Sequence, residues 1–170
     1  MAAQTSTQFV TLGLDREVFA VPVTTVREIL DLRPLFRVPD APPYLAGLID
    51  VRGAGVPVID LRLKLGLPAV APDESTRILV LEVPVGGRTV GMGLIADRVI
   101  EVATFEPDSM GPAPNIGVRW RSDYIDGVAR HGGGFVIIFD LERLFSSTET
   151  ALLEGALATS GDPAAATALN

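Results

Sequence analysis

The 170-residue sequence predicts an all-β protein made of two small five-stranded barrels related by internal duplication. Three observations lead there. Apolar residues alternate at period two in about ten short pieces bounded by Gly, Pro or Asp, the pattern of half-buried strands. Seventeen glycines and 13 prolines are spread between those pieces, which favours sharply bent small sheets over one long sandwich. The same order of residues then recurs eighty positions further on, so one plan is used twice.

In chain order, the first half offers strands at Gln8–Leu14, Val18–Val23, Arg27–Asp31, Ala46–Val51 and Gly55–Leu61. Asp15-Arg16-Glu17 reads as a hairpin turn, and Gly53-Ala54-Gly55 as another. The second half offers Thr76–Val83, Thr89–Ile95, Val99–Thr104, Gly127–Arg130 and Phe135–Asp140, with a hairpin turn at Gly86-Gly87-Arg88. Barrel one is expected over about 8–70 and barrel two over about 75–145, both within a single domain spanning 1–160. Ser146-Ser147-Thr148-Glu149 has the form of a capping box and predicts a helix over about 147–159, packed on the second barrel. The Ala-rich end, 160–170, is expected to be a disordered tail.

The repeat is specific. Tyr44-Leu45-Ala46-Gly47-Leu48 and Tyr124-Ile125-Asp126-Gly127-Val128 share Tyr-x-x-Gly-aliphatic at an offset of eighty. At that offset Gly53 meets Gly133, Val56 meets Val136, Val58 meets Ile138, and Asp60-Leu61 meets Asp140-Leu141. Upstream, Val26-Arg27-Glu28-Ile29 and Val99-Ile100-Glu101-Val102 both read Val-x-Glu-aliphatic, so the linker after the second is longer. Each half is near the size below which a lone core is marginal, and two halves steady each other by packing.

Composition excludes much chemistry. With no Cys and one His, thiol nucleophiles, zinc sites and His-paired metals are out, and no cofactor or metal is expected. His131-Gly132-Gly133-Gly134 imitates an oxyanion loop, but no G-x-S-x-G supplies a nucleophile, and a hairpin turn explains the glycines. The formal charge of −7, with Lys64 the only lysine, argues against nucleic acid and anionic membranes as partners. The uncharged stretch Ser109–Val118 is broken by Pro112 and Pro114, so no bilayer-spanning segment is expected there. Met1–Gln8 lacks the basic start and apolar run of a signal peptide, so the chain is expected in the cytoplasm. An enzyme or small-ligand binder using the groove between the barrels is the weaker alternative to a binding protein.

Leu48-Ile49-Asp50-Val51-Arg52-Gly53, followed by Val56-Pro57-Val58-Ile59-Asp60-Leu61-Arg62, resembles the CheW-type chemotaxis coupling proteins. The resemblance covers roughly Gln8 to Leu153, and Gly47, Arg52, Gly53, Pro57, Asp60, Leu61 and Arg62 match the family pattern, whereas Asp50 stands where that pattern has Asn. The resemblance implies a non-catalytic adaptor of two SH3-like five-stranded barrels. It further implies that the chain couples the cytoplasmic tip of methyl-accepting chemoreceptors to the regulatory domain of a CheA-type histidine kinase. The receptor helix would lie in an apolar groove between the barrels, and other barrel faces would meet the kinase.

Val26, Glu28, Ile29 and Val99 are the candidate receptor-binding residues. Val26 and Ile29 either line that groove or belong to the core, because a strand alternates its faces. Glu28 and its counterpart Glu101 either face solvent or pair with an arginine. Gly47, Asp50, Arg52 and Gly53 are the candidate receptor- or kinase-contact residues. Arg52 suits a bidentate contact to a partner carboxylate, the alternative being an internal ion pair with Asp50 or Asp60. The second half has Gly132 in its place, which favours the contact. Asp60, Asp140, Tyr44 and Tyr124 recur in both halves and are assigned to structure, the aspartates ending strands by accepting from backbone N–H groups. Trp120 serves either as a partner anchor or as a lid over the second barrel.

Overall fold

The computed structural model describes residues 8–112 and 124–148. The chain runs β1 (Gln8–Leu14), β2 (Glu17–Pro22), a 3-10 turn at Val23–Thr25, β3 (Val26–Asp31), β4 (Leu45–Val51), β5 (Ala54–Asp60) and the short helix α1 (Leu61–Lys64). It continues with β6 (Arg77–Val85), β7 (Arg88–Ala96), β8 (Arg98–Thr104), a 3-10 turn at Pro107–Ser109, β9 (Met110–Gly111), β10 (Ile125–His131) and β11 (Gly134–Phe139). Residues 141–148 are helical. Every strand expected from alternation is present within a residue or two of its expected ends; β9 and α1 were not expected, being too short to show a period.

The strands form two sheets, ordered β8-β1-β2-β11-β10-β9 and β3-β6-β7-β5-β4. This corrects the expectation of one barrel over 8–70 and the other over 75–145. The β1–β2 hairpin of the first half lies between β8 and β11 of the second, and the β6–β7 hairpin of the second lies between β3 and β5 of the first. Each half therefore lends its hairpin to the other. The physical reason is that a hairpin is specified by its own turn, whereas duplicated halves present the same alternation to either hairpin. After β2, the turn at Val23–Thr25, pinned by Thr25 Oγ1 donating to the Pro22 carbonyl at 2.7 Å, carries the chain into the other sheet.

Both sheets curl in equivalent ways. Beyond β3, Phe36 exchanges two backbone hydrogen bonds with Leu48 of β4, at 2.9 and 2.8 Å. In the other sheet β9 takes that place, Gly111 pairing with Val128. The close approach explains the repeated glycine: a Cβ on Gly47 would lie 2.4 Å from the Phe36 carbonyl oxygen, and one on Gly127 equally close to that of Gly111.

The largest core lies between the sheets. Leu12, Leu14, Phe19, Ile59, Leu79, Leu81, Met92 and Phe139 meet there, with the Phe19 and Phe139 rings stacked at 5.0 Å. Smaller cores fill the sheets' other faces: Phe9, Ala20, Phe105, Val136 and Ile138 in one, Ile49, Val58, Ile78 and Val80 in the other. Strands such as β6 are thus buried on both faces, which is why they read as nearly continuous apolar runs.

The helix after β11 begins earlier than the capping-box reading put it. Asp140 is its N-terminal cap, accepting from the Arg143 N–H at Oδ1 (3.1 Å), and Leu141, Leu144 and Phe145 bury into the central core. Ser146 and Thr148 sit inside the helix, donating to the carbonyls of Glu142 and Leu144 at 2.8 Å each. The predicted helical stretch beyond 148, the tail and Trp120 lie outside the described residues.

Candidate functional site

The β4–β5 hairpin turns at Arg52-Gly53, not at Gly53-Ala54-Gly55: Val51 pairs with Ala54, and Ala54 and Gly55 already belong to β5. Both turn residues have positive φ, 52° and 86°, the two-residue form that matches strand twist. The Gly53 N–H donates to Asp50 Oδ1 at 2.7 Å and closes the loop. Glycine takes this conformation freely; arginine there costs about 1 kcal/mol. The sister turn has Gly132-Gly133, with φ of 61° and 80°.

The Arg52 guanidinium, 77% exposed, donates through Nη1 to Glu28 Oε2 on β3. Glu28 and Arg52 thus come together from separate candidate groups, and the partner of Arg52 is neither Asp50 nor Asp60. An exposed pair of this kind contributes at most about 1 kcal/mol, which only offsets the backbone strain. Stability gives little reason for an arginine at the hairpin tip. The second half repeats the arrangement in other residues: His131 Nε2 lies 3.2 Å from Glu101 Oε2, with the imidazole edge-on to Phe105 at 5.3 Å. Glu101 is thereby a partner for a basic side chain rather than merely solvated. Its strand is held by Thr11, whose Oγ1 bonds both backbone groups of Glu101 where the β1–β8 register shifts.

Val26 and Val99 are half-buried against the central core, while Ile29 is 44% exposed. They stand on β3 and β8, one edge strand of each sheet. The space between the sheets is filled by core side chains. Ile100 and Val102 of β8 add exposed apolar area beside Val99.

The remaining candidates make their contacts within the chain. Gly47 is buried beneath Phe36, where the missing side chain is needed by the chain itself. Asp60 caps α1, accepting at Oδ1 from the N–H groups of Arg62 (3.0 Å) and Leu63 (3.4 Å). The Tyr44 and Tyr124 carbonyls accept from the Asp60 and Asp140 N–H groups at 2.8 and 2.7 Å. Both tyrosine rings face the buried Lys64 ammonium, 4.2 and 5.1 Å from the ring centroids. Among the described residues no three His, Cys, Asp or Glu side chains gather as a metal site.

A family model described as the CheW-like domain matches residues 8–149. The chain belongs to the CheW-like family. It is 32% identical over 147 residues to the chemotaxis protein CheW of Klebsiella aerogenes, covering 86% of each chain. With the CheW of Bacillus subtilis it shares 32% over 120 residues, covering 71% of this chain and 74% of that one. The crystal structure of the scaffolding protein TtCheW from Thermoanaerobacter tengcongensis superposes with a TM-score of 0.74 at 26% identity, covering 84% of this chain and 90% of the other.

In this CheW-like chain, Asp50 closes the turn as an acceptor, and the Asn that the resemblance leads one to expect there would serve equally, because the bond to Gly53 needs only an acceptor. Asp50→Ala is therefore expected to cost about 1 kcal/mol and Asp50→Asn much less, as read by urea denaturation; equal losses would contradict the acceptor role. Sequence reasoning noted Arg62 only as a motif match. The CheW-like fold buries it: Nη1 donates to Asp97 Oδ2 at 2.6 Å, Nη2 lies 2.7 Å from Asp15 Oδ1, and Nε donates to the Pro68 carbonyl at 2.8 Å. Burial alone would lower the guanidinium pKa; the hydrogen bonds and charges of Asp15 and Asp97 outweigh it and hold the pKa above its ordinary value.

Proposed function

We propose that the chain is a non-catalytic adaptor that joins the cytoplasmic tips of methyl-accepting chemoreceptors to a CheA-type histidine kinase, working at receptor arrays. Membership in the CheW-like family over residues 8–149 carries this reading. The surface agrees with it: a strained, exposed arginine at a hairpin tip, paired to a glutamate on an edge strand, beside exposed apolar residues, is suited to recognition rather than turnover. No helix among the described residues is long and apolar enough to cross a membrane.

The receptor contact is assigned to Val26, Glu28, Ile29 and Val99 on the edge strands, and a receptor or kinase contact to Gly47 and Asp50 of β4 with Arg52 and Gly53 at the adjoining tip. Arg52→Glu places a carboxylate opposite Glu28 and removes the strand-to-tip link. It is expected to leave the thermal transition within a few degrees of wild type and to weaken receptor or kinase binding on the order of tenfold. Calorimetric titration of wild type and variant with a receptor-tip fragment and with the kinase regulatory domain tests this; equal affinities of the two forms for both partners would overturn the assignment.

A further inference from the structure

We propose that the His131–Glu101 pair makes receptor binding along β8 pH-dependent, a protonated imidazole supplying there the charge that Arg52 supplies permanently in the first half. The inference rests on the adaptor reading and adds to it a regulation of one of its contact edges.

The duplication carries the comparison. In each half a glutamate on an edge strand meets a basic side chain from a hairpin tip: Glu28 of β3 meets Arg52, and Glu101 of β8 meets His131 at 3.2 Å. The arrangement is shared, but the residues are not. At the offset of eighty Arg52 corresponds to Gly132, and the basic residue of the second half stands one position earlier, at the end of β10. Gly132 and Gly133 make that turn, so the second pair forms with no arginine in the left-handed region. Although the chain has 14 lysines and arginines, this position holds its single histidine. A histidine changes its charge between about pH 5 and pH 8, whereas a guanidinium stays charged throughout. An exposed pair adds little to stability, so folding does not account for either of them.

Among the described residues, Glu101 is the charged group paired with the imidazole. Phe105, from the segment after β8, offers it an uncharged ring at 5.3 Å. Arg130, the preceding residue on β10, has its guanidinium 5.4 Å from the Phe135 ring of β11. The carboxylates of Glu106 and Asp108 are exposed and make no ion pair among the described residues. From β1, the uncharged Thr11 fixes the backbone of Glu101, so protonation changes the charge of the patch and leaves its place on the strand. With the imidazole protonated the pair is neutral overall. Without the proton one carboxylate charge stands unbalanced, next in sequence to Ile100 and Val102, which are 42% and 57% exposed. A receptor tip laid on that apolar edge takes the carboxylate out of water, and a desolvated charge without a partner is costly. Binding is therefore tightest on the acidic side of the imidazole range and weakens as pH rises through it.

The test is calorimetric titration of the full chain with the receptor-tip fragment from the same organism between about pH 6 and about pH 8, for wild type, His131→Arg and His131→Gln. At the acidic end wild type is expected to bind roughly fivefold more tightly than His131→Gln and to converge on it at the alkaline end, while His131→Arg keeps the tighter value throughout. Comparison with His131→Arg at each pH removes the receptor's own titration. In Glu101→Gln the advantage at the acidic end is expected to vanish. Parallel profiles for wild type and His131→Arg overturn the proposal, as does an acidic advantage that persists in Glu101→Gln. Loss of the cooperative thermal transition in both His131 variants also overturns it, because the pair would then be holding the fold. Wild type that binds no receptor fragment at any pH refutes the adaptor reading, and the proposal with it; wild type that binds in parallel with His131→Arg refutes the proposal alone.

Discussion

Arg62→Ala is expected to destabilise the protein by about 3 kcal/mol, the lower end of the range for removing one partner of a buried ion pair. Three chain segments depend on this side chain: the β1–β2 turn through Asp15, the β7–β8 junction through Asp97, and the loop after α1 through Pro68. Asp97 Oδ2 also accepts from the Asp15 N–H at 2.8 Å, so deleting the guanidinium leaves two carboxylates facing each other across a turn they jointly hold. Both aspartates reach solvent, which relieves part of the cost and sets the estimate at the lower end. Arg62→Lys keeps the charge but not the planar fork and is expected to fall between wild type and alanine. Because the folded-state pKa of Arg62 is raised, its stabilisation is complete below the ordinary guanidinium value and lost only in strongly alkaline solution. Urea denaturation at neutral pH reads the difference; a loss below about 1 kcal/mol would show that the cluster contributes little.

A fragment of residues 1–72 is expected to show no cooperative unfolding transition, whereas mixing it with a fragment of residues 73–170 restores one. Alone, the first half retains β1 and β2 but lacks β8 and β11, their neighbours on either side, and β3 and β5 lack the β6–β7 hairpin between them. Most of the central core comes from both halves, Leu12 and Phe19 from one and Leu79, Leu81 and Phe139 from the other. Without those contacts too little apolar surface is buried to offset the entropy of ordering the strands. Circular dichroism melts of each fragment and of the mixture check this; a lone fragment with a sharp transition would contradict the interlocked arrangement.

What was legible in the sequence was local. Strands came from alternation, and the equivalence of the halves from Tyr-x-x-Gly and Asp-Leu, each decided by residues close together in the chain. The aspartates could be read as backbone acceptors for the same reason, since each bonds within three residues of itself. The exchange of hairpins was illegible because the two halves offer matching partners. Glu28 and Arg52 were singled out separately but not as a pair, lying 24 positions apart on different strands. Arg62 was missed as a buried hub because Asp97 stands 35 positions away and Asp15 lies in a turn whose pattern announces only a turn.

The adaptor role is tested most directly by sedimenting receptor-bearing membrane vesicles with the purified kinase, with and without this chain. The account predicts that the kinase pellets with the vesicles substantially more when the chain is present, and that Arg52→Glu reduces that gain. A kinase that distributes identically whether or not the chain is added would contradict it.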